Sequence, residues 1–271
     1  MLSRLHPHPR DSHIHFFEEE HKYEIDDPSD TSNEKYTSVT TFIHSLFKPF
    51  DADIIIDKMM KSPKWPSSPY YGMTALEIKS KWEEKRDAAA SAGTKMHLSI
   101  ENYYNQVPNE PSLEESVEFK YFKAFQEEVI EKNEWIPYRT EWTVYDIETK
   151  LAGSIDIIYQ VNRNNDTELV IYDWKRAENI KKEGFDSGKS PIDHLPDTNF
   201  WYYALQLNIY KYILEKNYGK RITQLCLVVL HPSNNGYKLF EVPALPDEIT
   251  DVMNFRMSCL REEFYPENDS L

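Results

Sequence analysis

The chain has 271 residues, of which 40% are hydrophobic, and a net charge of −15 from 31 basic and 46 acidic residues. This length suits one large domain, or one domain with a substantial elaboration. With only 7 glycines and no GxGxxG or GxxxxGK[ST] run, the sequence excludes the usual glycine-rich nucleotide loops. No apolar stretch approaches the length of a membrane span, so we expect no membrane association.

The cysteine content and the first residues of the chain indicate the cellular compartment in which the protein is found. Cys226 and Cys259 are the only cysteines, which excludes a cysteine-rich zinc site and fits a reducing environment. The first residues, MLSRLHPHPRDSHIHFF, contain no hydrophobic region typical of a signal peptide. We therefore expect an intracellular protein, located in the cytoplasm or the nucleus.

The acidic charge opposes nucleic-acid binding, because phosphates are repelled by an acidic surface. Either the acidic residues lie away from a basic groove, or the protein does not bind nucleic acid. The sequence segregates the two signs: acidic residues gather at 18–20, 114–118 and 127–131, and basic residues at 79–86 and 175–182. This separation favours the first explanation, and the acidic surface also suits a protein partner.

The first half of the chain reads as a strand or hairpin followed by helices. Residues 13–25 alternate loosely, and Ser38 and Asp51 each begin a short helix. Thr74 and Glu77 form a capping box at the start of a long helix. We expect this helix to end near residue 92, where Gly93 stops it and Thr94 caps a second helix, KMHLSIENYYN.

The second half reads as a helix, three strands, a helix, two strands and a last helix. Ser112 and Glu115 form a capping box for a helix that reaches about residue 133. The segment 177–196 is polar and irregular, and we expect a mobile loop there. The predicted strands cover 136–147, 151–161, 168–174, 224–230 and 237–242, and the predicted helices cover 198–217 and 247–262.

Asp156, Asp173 and Lys175 carry the most informative chemistry. Asp156 interrupts an apolar strand, which is costly unless the carboxylate is paired or binds a cation. Strands project alternate residues to one face, so Asp173 and Lys175 in YDWK point the same way. Two carboxylates beside an ammonium can hold a divalent metal that activates water next to a phosphate. A strand-edge ion pair is the simpler alternative for Asp173 and Lys175.

Two helical pairs accompany these residues. His97 and Glu101 lie four apart in GTKMHLSIENYYN, so both can face a metal, although they can equally bond to helical neighbours. Gln206 and Tyr210 share one face of the later helix and could contact a phosphate or base, or form a mixed helix surface. Glu141 is a further acidic candidate, because strand alternation does not fix the face on which it lies.

The segment around 177–203 offers candidate DNA contacts. Lys181, Lys182 and Lys189 could hold a strand, and the aromatic run Trp201, Tyr202 and Tyr203 could stack on bases or pack in the core.

The order GT-x-x-H, GSID, DWK and Q-x-x-x-Y resembles the RecB-like, lambda-exonuclease-like branch of the PD-(D/E)XK nuclease superfamily. The resemblance covers residues 93–210, and HKYEID and YTSVTTFI also resemble segments of phage and large-virus members. It implies an α/β, restriction-endonuclease-like core with a mixed central sheet flanked by helices. It also implies that Mg²⁺ or Mn²⁺, as one or two ions, supports phosphodiester hydrolysis.

The resemblance assigns roles to individual residues. It implies metal ligation by His97, Asp156, Asp173 and the backbone carbonyl of Trp174, with Glu101 as a weaker candidate. Lys175 corresponds to the catalytic lysine. Gln206 and Tyr210 correspond to a motif near the DNA end. Ile155 replaces the nominal proline before the first aspartate.

Three functions therefore stay open. The first is a DNA exonuclease acting on linear or single-stranded ends, and the second is an endonuclease acting on RNA or branched DNA. The third is a non-catalytic module that binds DNA ends or a protein. The expected organisation is a mostly helical N-terminal elaboration, residues 1–92, packed on a nuclease core, residues 93–271.

Overall fold

A computed structural model describes residues 1–32, 34–163 and 166–264. The strands are β1 (Ile14–Phe17), β2 (Lys22–Ile25), β3 (Thr37–Ser38), β4 (Ile136–Asp146), β5 (Leu151–Arg163), β6 (Asp166–Lys175), β7 (Ile222–Val229) and β8 (Lys238–Glu241). The helices are α1 (Leu2–Leu5), α2 (Val39–Ser45), α3 (Ala52–Met60), α4 (Ala75–Asn105), α5 (Pro111–Glu114), α6 (Val117–Phe125), α7 (Asn199–Asn217) and α8 (Pro246–Phe264).

Strands β3 to β8 form one mixed sheet, and β1 and β2 form a separate hairpin. In the mixed sheet β5 runs antiparallel to β4 and β6, and parallel to β3 at its first two residues. Strand β7 is parallel to β6, and β8 is antiparallel to β7. The parallel step from β6 to β7 requires a long crossover, and α7 forms part of it. The predicted mixed sheet is thus present.

Hydrophobic layers cover both faces of this sheet. On one face Leu169 and Ile171 of β6 join a buried cluster that contains residues of α2, α7 and α8. On the other face Val170 and Tyr172 join a cluster that contains residues of α4 and α6. Because side chains alternate along a strand, the odd-numbered residues of β6 face α7. Asp173 and Lys175 therefore lie on the α7 face.

The predicted end of a helix at Gly93 is wrong, because α4 runs without a break through residue 105. Gly93 does not adopt a positive φ, which a C-terminal cap would require. The Thr94 hydroxyl donates to the carbonyl of Ala90 instead of capping a new helix. The capping box at Thr74 and Glu77 is confirmed. An interior glycine costs a helix only about 1 kcal/mol relative to alanine, which the packing of the rest of α4 offsets.

The single helix predicted between residues 112 and 133 is also divided. Helix α5 begins with Pro111 rather than after a Ser112 cap, and it ends at Glu114. The Ser116 hydroxyl then accepts from the backbone N–H of Phe119 and caps α6. The chain continues beyond α6 as a π-helical segment, Gln126–Glu131.

The irregular segment 177–196 makes hydrogen bonds with the end of α2. The backbone N–H of Lys189 donates to the Leu46 carbonyl, and its ammonium donates to the Ser45 carbonyl, so the segment is tied to the end of α2. An isolated bridge also joins Ser187 to Pro196. No helix in the described ranges is both long enough and apolar enough to traverse a bilayer.

Candidate metal centre

The site lies where the sheet opens between β3 and β6. Strand β5 pairs with β3 at Ala152 and with β6 from Ile157 onward. The carboxylate of Asp156 fills this opening and accepts a 2.8 Å hydrogen bond from the backbone N–H of Trp174. The Asp156 side chain thus accepts the hydrogen bond that a backbone carbonyl would accept in a regular sheet. Its carboxylate points into the interior of the site.

His97 on α4 and Glu141 on β4 converge on Asp156. The Nδ1 atom of His97 lies 3.6 Å from Oδ2 of Asp156 and 3.9 Å from Oε1 of Glu141. Among the described residues, these three side chains place one ligand atom each within 4.8 Å of one another. The separations are too long for good hydrogen bonds but suit atoms that share a cation.

Glu141 reaches the site through an unusual backbone conformation. Its φ is +44°, in the left-handed region that residues other than glycine rarely adopt. The Ser154 hydroxyl donates to Oε2 of Glu141 at 2.9 Å and fixes the carboxylate. Strained residues of this kind cluster at functional sites. Strand alternation in the sequence leaves the direction of this side chain open.

Asp173 and Lys175 form the second part of the site on β6. The Lys175 ammonium lies 2.7 Å from Oδ2 of Asp173, as expected from their alternation. This contact is a buried ion pair rather than a well-aligned hydrogen bond. Burial raises the pKa of Asp173 to about 6, against the opposing effect of Lys175. A carboxylate in such an ion pair keeps further lone pairs, through which it can also bind a metal cation.

Burial and neighbouring charges also shift the pKa values of His97, Asp156 and Lys175. Burial lowers the pKa of His97, but the negative charges of Asp156 and Glu141 outweigh it and raise the value to about 9. Burial raises the pKa of Asp156. Burial also lowers the pKa of Lys175, but the carboxylates of Asp173 and Asp156 outweigh this and raise it. Lys175 is therefore charged at neutral pH.

Gln206 and Tyr210 connect α7 to Lys175. The Lys175 ammonium donates to Oε1 of Gln206 at 3.3 Å, and Nε2 of Gln206 donates to the Tyr210 hydroxyl at 3.2 Å. Tyr210 is 2% exposed, so in this structure its ring supports Gln206 and offers no surface to a phosphate or base. A Cβ atom at Gly153 would lie 2.7 Å from the Tyr210 ring, which explains the glycine in GSID.

The two other predicted metal ligands, the Trp174 carbonyl and Glu101, differ in how close they lie to the site. The Trp174 backbone borders the site, and its carbonyl faces the same side as its N–H, because both groups of one strand residue point the same way. Glu101 is half-buried on α4 and lies outside the group of three. Burial raises its pKa, and the charge of Glu141 adds to the effect.

The predicted DNA-binding lysines lie in the segment that precedes α7. Lys181 and Lys182 are both exposed, and the Lys182 ammonium lies 4.4 Å from the centroid of the Phe200 ring. Lys182 and Trp201 line one cavity, whereas Lys175 lines another. Of the three predicted aromatic residues, Tyr203 lies nearest the site, with its ring 4.7 Å from the Lys175 ammonium.

The donor set fits a divalent cation. Carboxylate oxygens are the preferred ligands of Mg²⁺ and Mn²⁺, and an imidazole also suits Mn²⁺. His97, Glu141 and Asp156 supply these atoms from three different elements, and Asp173 adds a buried carboxylate beside Lys175. The arrangement can hold a cation beside a lysine ammonium, which is the chemistry needed to hydrolyse a phosphate ester.

Comparison with known proteins gives one informative match. The model of the PD-(D/E)XK nuclease superfamily matches residues 70–252, a span that includes every residue of the site. No match was found among curated proteins. A solved structure described as "Crystal structure of SSO0001" is similar at 12% identity and a TM-score of 0.33, over 86% of this chain and 80% of that one. The family match and the mixed sheet confirm the predicted restriction-endonuclease-like fold class.

Proposed function

Because this chain belongs to the PD-(D/E)XK nuclease superfamily, we propose that it is a Mg²⁺- or Mn²⁺-dependent exonuclease that acts on DNA ends. The observation that carries the proposal is the convergence of His97, Glu141 and Asp156 next to the Asp173–Lys175 pair. The motif order supports the RecB-like, lambda-exonuclease-like branch. The segments HKYEID and YTSVTTFI support a phage or large-virus origin.

His97, Glu141, Asp156 and Asp173 would hold the cation. When bound, the cation would lower the pKa of a water and offset negative charge on the scissile phosphate. The protein supplies the position of these groups: Asp156 is fixed by the Trp174 N–H, and Glu141 by the Ser154 hydroxyl. Such fixed ligands stabilise charge without rearranging during the reaction.

Lys175 positions the attacking water and stabilises the charge that develops on the phosphate oxygens. Its raised pKa keeps it protonated at neutral pH, so it acts as a donor. Gln206 and Tyr210 hold the ammonium in place from α7. In the hydrolysis, the water oxygen bonds to phosphorus, the ester P–O bond breaks, and a proton passes to the leaving oxygen.

The acidic net charge is compatible with this function because the cation offsets the carboxylates where the phosphate binds. The preference for DNA ends is supported by the resemblance of Q-x-x-x-Y to a motif near the DNA end. Cleavage of closed circular DNA or of RNA would instead favour the endonuclease on the same scaffold.

The test is cleavage of linear DNA in the presence of Mg²⁺. We expect Asp173→Ala and Lys175→Ala to remove activity, whereas Asp251→Ala and Lys238→Ala, at exposed positions on α8 and β8, keep it. Undiminished cleavage by both site variants would contradict the proposal. Calorimetry with Mn²⁺ separates an enzyme from a non-catalytic module, since only a working site binds the ion in a manner that depends on Asp156.

A further inference from the structure

A cavity of about 430 Å³ adjoins the metal centre between α2 and α7. Lys175 and Gln206 form its inner wall, so the cavity and the catalytic ion pair share an ammonium group. Thr40 and His44 line it from α2, four residues apart on one helical face. Its volume lies in the range of about 300–1,000 Å³ that is usual for small-molecule sites. It can therefore accept a single nucleotide.

The walls of this cavity suit a nucleoside. The Tyr202 ring packs against Phe47 at 4.1 Å and against His44 at 5.0 Å, which gives an aromatic wall held by the core. The Tyr203 ring lies beneath the Lys175 ammonium. Within the described part of the chain no hydrogen bond engages the ring nitrogens of His44, so they can bond a base edge or a sugar. Aromatic walls bind bases with little regard to sequence.

We propose that this cavity binds the single terminal nucleotide of a DNA strand, on one side of the scissile phosphate. The inference rests on the proposed function, because a phosphate held beside Lys175 places its attached nucleoside at the mouth of the same cavity. A free strand end can place one nucleotide in this cavity, whereas an internal nucleotide is joined to the strand on both sides. The enzyme would therefore release mononucleotides, which names the class of product and explains a requirement for DNA ends.

The experiment measures the binding of deoxyadenosine monophosphate to the full chain with Mg²⁺ present. Thr40 is exposed, so Thr40→Trp can fill the cavity without disturbing the core. We expect binding to weaken about tenfold or more, because the indole ring would occupy the space of the base and prevent it from stacking. Ser112→Trp is the matched control, since Ser112 is exposed and lines a separate cavity with Lys95 and Met96. It should bind the nucleotide as the wild type does.

A second variant, His44→Ala, keeps the test valid if the introduced tryptophan perturbs α2. We expect His44→Ala to weaken nucleotide binding severalfold. Inorganic phosphate, which lacks the nucleoside, should bind equally to all four proteins. Nucleotide binding by both α2 variants at wild-type strength would overturn the inference, as would a wild type that releases only oligonucleotides. These results leave the proposed function standing, since that depends on Asp173→Ala and Lys175→Ala.

Discussion

Asp146 and Asp173 lie in the same sheet and are both 1% exposed, yet their surroundings differ. Both oxygens of Asp146 are engaged, by the N–H and hydroxyl of Thr149, by Asn217 and by Lys216. Burial would raise the pKa of Asp146, but these donors outweigh it and lower the pKa. Asp173 has an ion pair with Lys175, but burial, with the nearby charge of Asp156, outweighs it and raises the pKa of Asp173 to about 6.

This difference separates a structural carboxylate from one that is available for function. A buried charge with a full set of donors stabilises the fold, whereas one without them destabilises it unless a ligand is bound. Residue type and exposed fraction are the same at the two positions, so their neighbours distinguish them: several donors surround Asp146, whereas a second carboxylate, Asp156, lies near Asp173.

The largest expected effect is on catalysis. Asp173→Asn should reduce DNA cleavage by about 1,000-fold or more, because several kcal/mol of metal-derived stabilisation are lost. Asp146→Asn should keep its activity per folded molecule. Initial rates on linear DNA with Mg²⁺, normalised to the folded fraction from circular dichroism, provide the measurement. A similar loss in both variants would remove the functional distinction between the two carboxylates.

The second prediction concerns the free energy of unfolding, which should depend on Asp146 more than on Asp173. Asp146→Ala should lower the free energy of unfolding by roughly 3 kcal/mol, since it leaves buried donors unpaired. Asp173→Asn should leave the metal-free protein as stable at pH 7, or make it more stable. Urea unfolding in the presence of a chelator measures both. A loss of stability in Asp173→Asn as large as that in Asp146→Ala would show that Asp173 is structural.

The pH dependence of metal-free stability should also differ. A pKa raised to about 6 in the folded state means that the folded protein binds more protons than the unfolded chain between about pH 4 and pH 6. The contribution of Asp173 to stability therefore falls as the pH rises through this window. The gain from Asp173→Asn should grow with pH, by at most about 1.4 kcal/mol per unit. A gain that stays constant from pH 4 to pH 7 would contradict the raised pKa.

The smallest effect concerns the support of Lys175. Gly153→Ala should destabilise the protein by about 1–3 kcal/mol, because its Cβ atom would overlap the Tyr210 ring that holds Gln206. Gly93→Ala is the matched control: nothing lies within 4 Å of its Cβ, so it should stabilise α4 by about 1 kcal/mol. Thermal unfolding compares them, and equal behaviour of the two glycine variants would argue against the Tyr210 contact.

Local spacing made part of the site predictable. The two-residue period of a strand places Asp173 and Lys175 together, and the turn of a helix places Gln206 beside Tyr210. The three strands β4 to β6 were also predicted, because long apolar runs bounded by turn residues are a strong signal. In each case the relevant distance is set within one element.

The remaining features depend on contacts between elements. The direction of Glu141 follows from a positive φ that no sequence pattern specifies. The burial of Tyr210 depends on its approach to Gly153 on another strand. The continuity of α4 through Gly93 reflects tertiary packing that outweighs a local preference. The structural role of Asp146 could not be predicted from the sequence either, because Asn217 and Lys216, which contact its carboxylate, are distant in the chain.

The most direct measurement is an anomalous difference map from a crystal of the protein soaked in Mn²⁺. We expect a peak between His97 and Asp156, within about 2.0–2.4 Å of their ligand atoms, with Glu141 or Asp173 completing the shell. A map without a peak at this position, or with manganese bound only elsewhere on the acidic surface, would contradict the assignment of these residues as the catalytic metal centre.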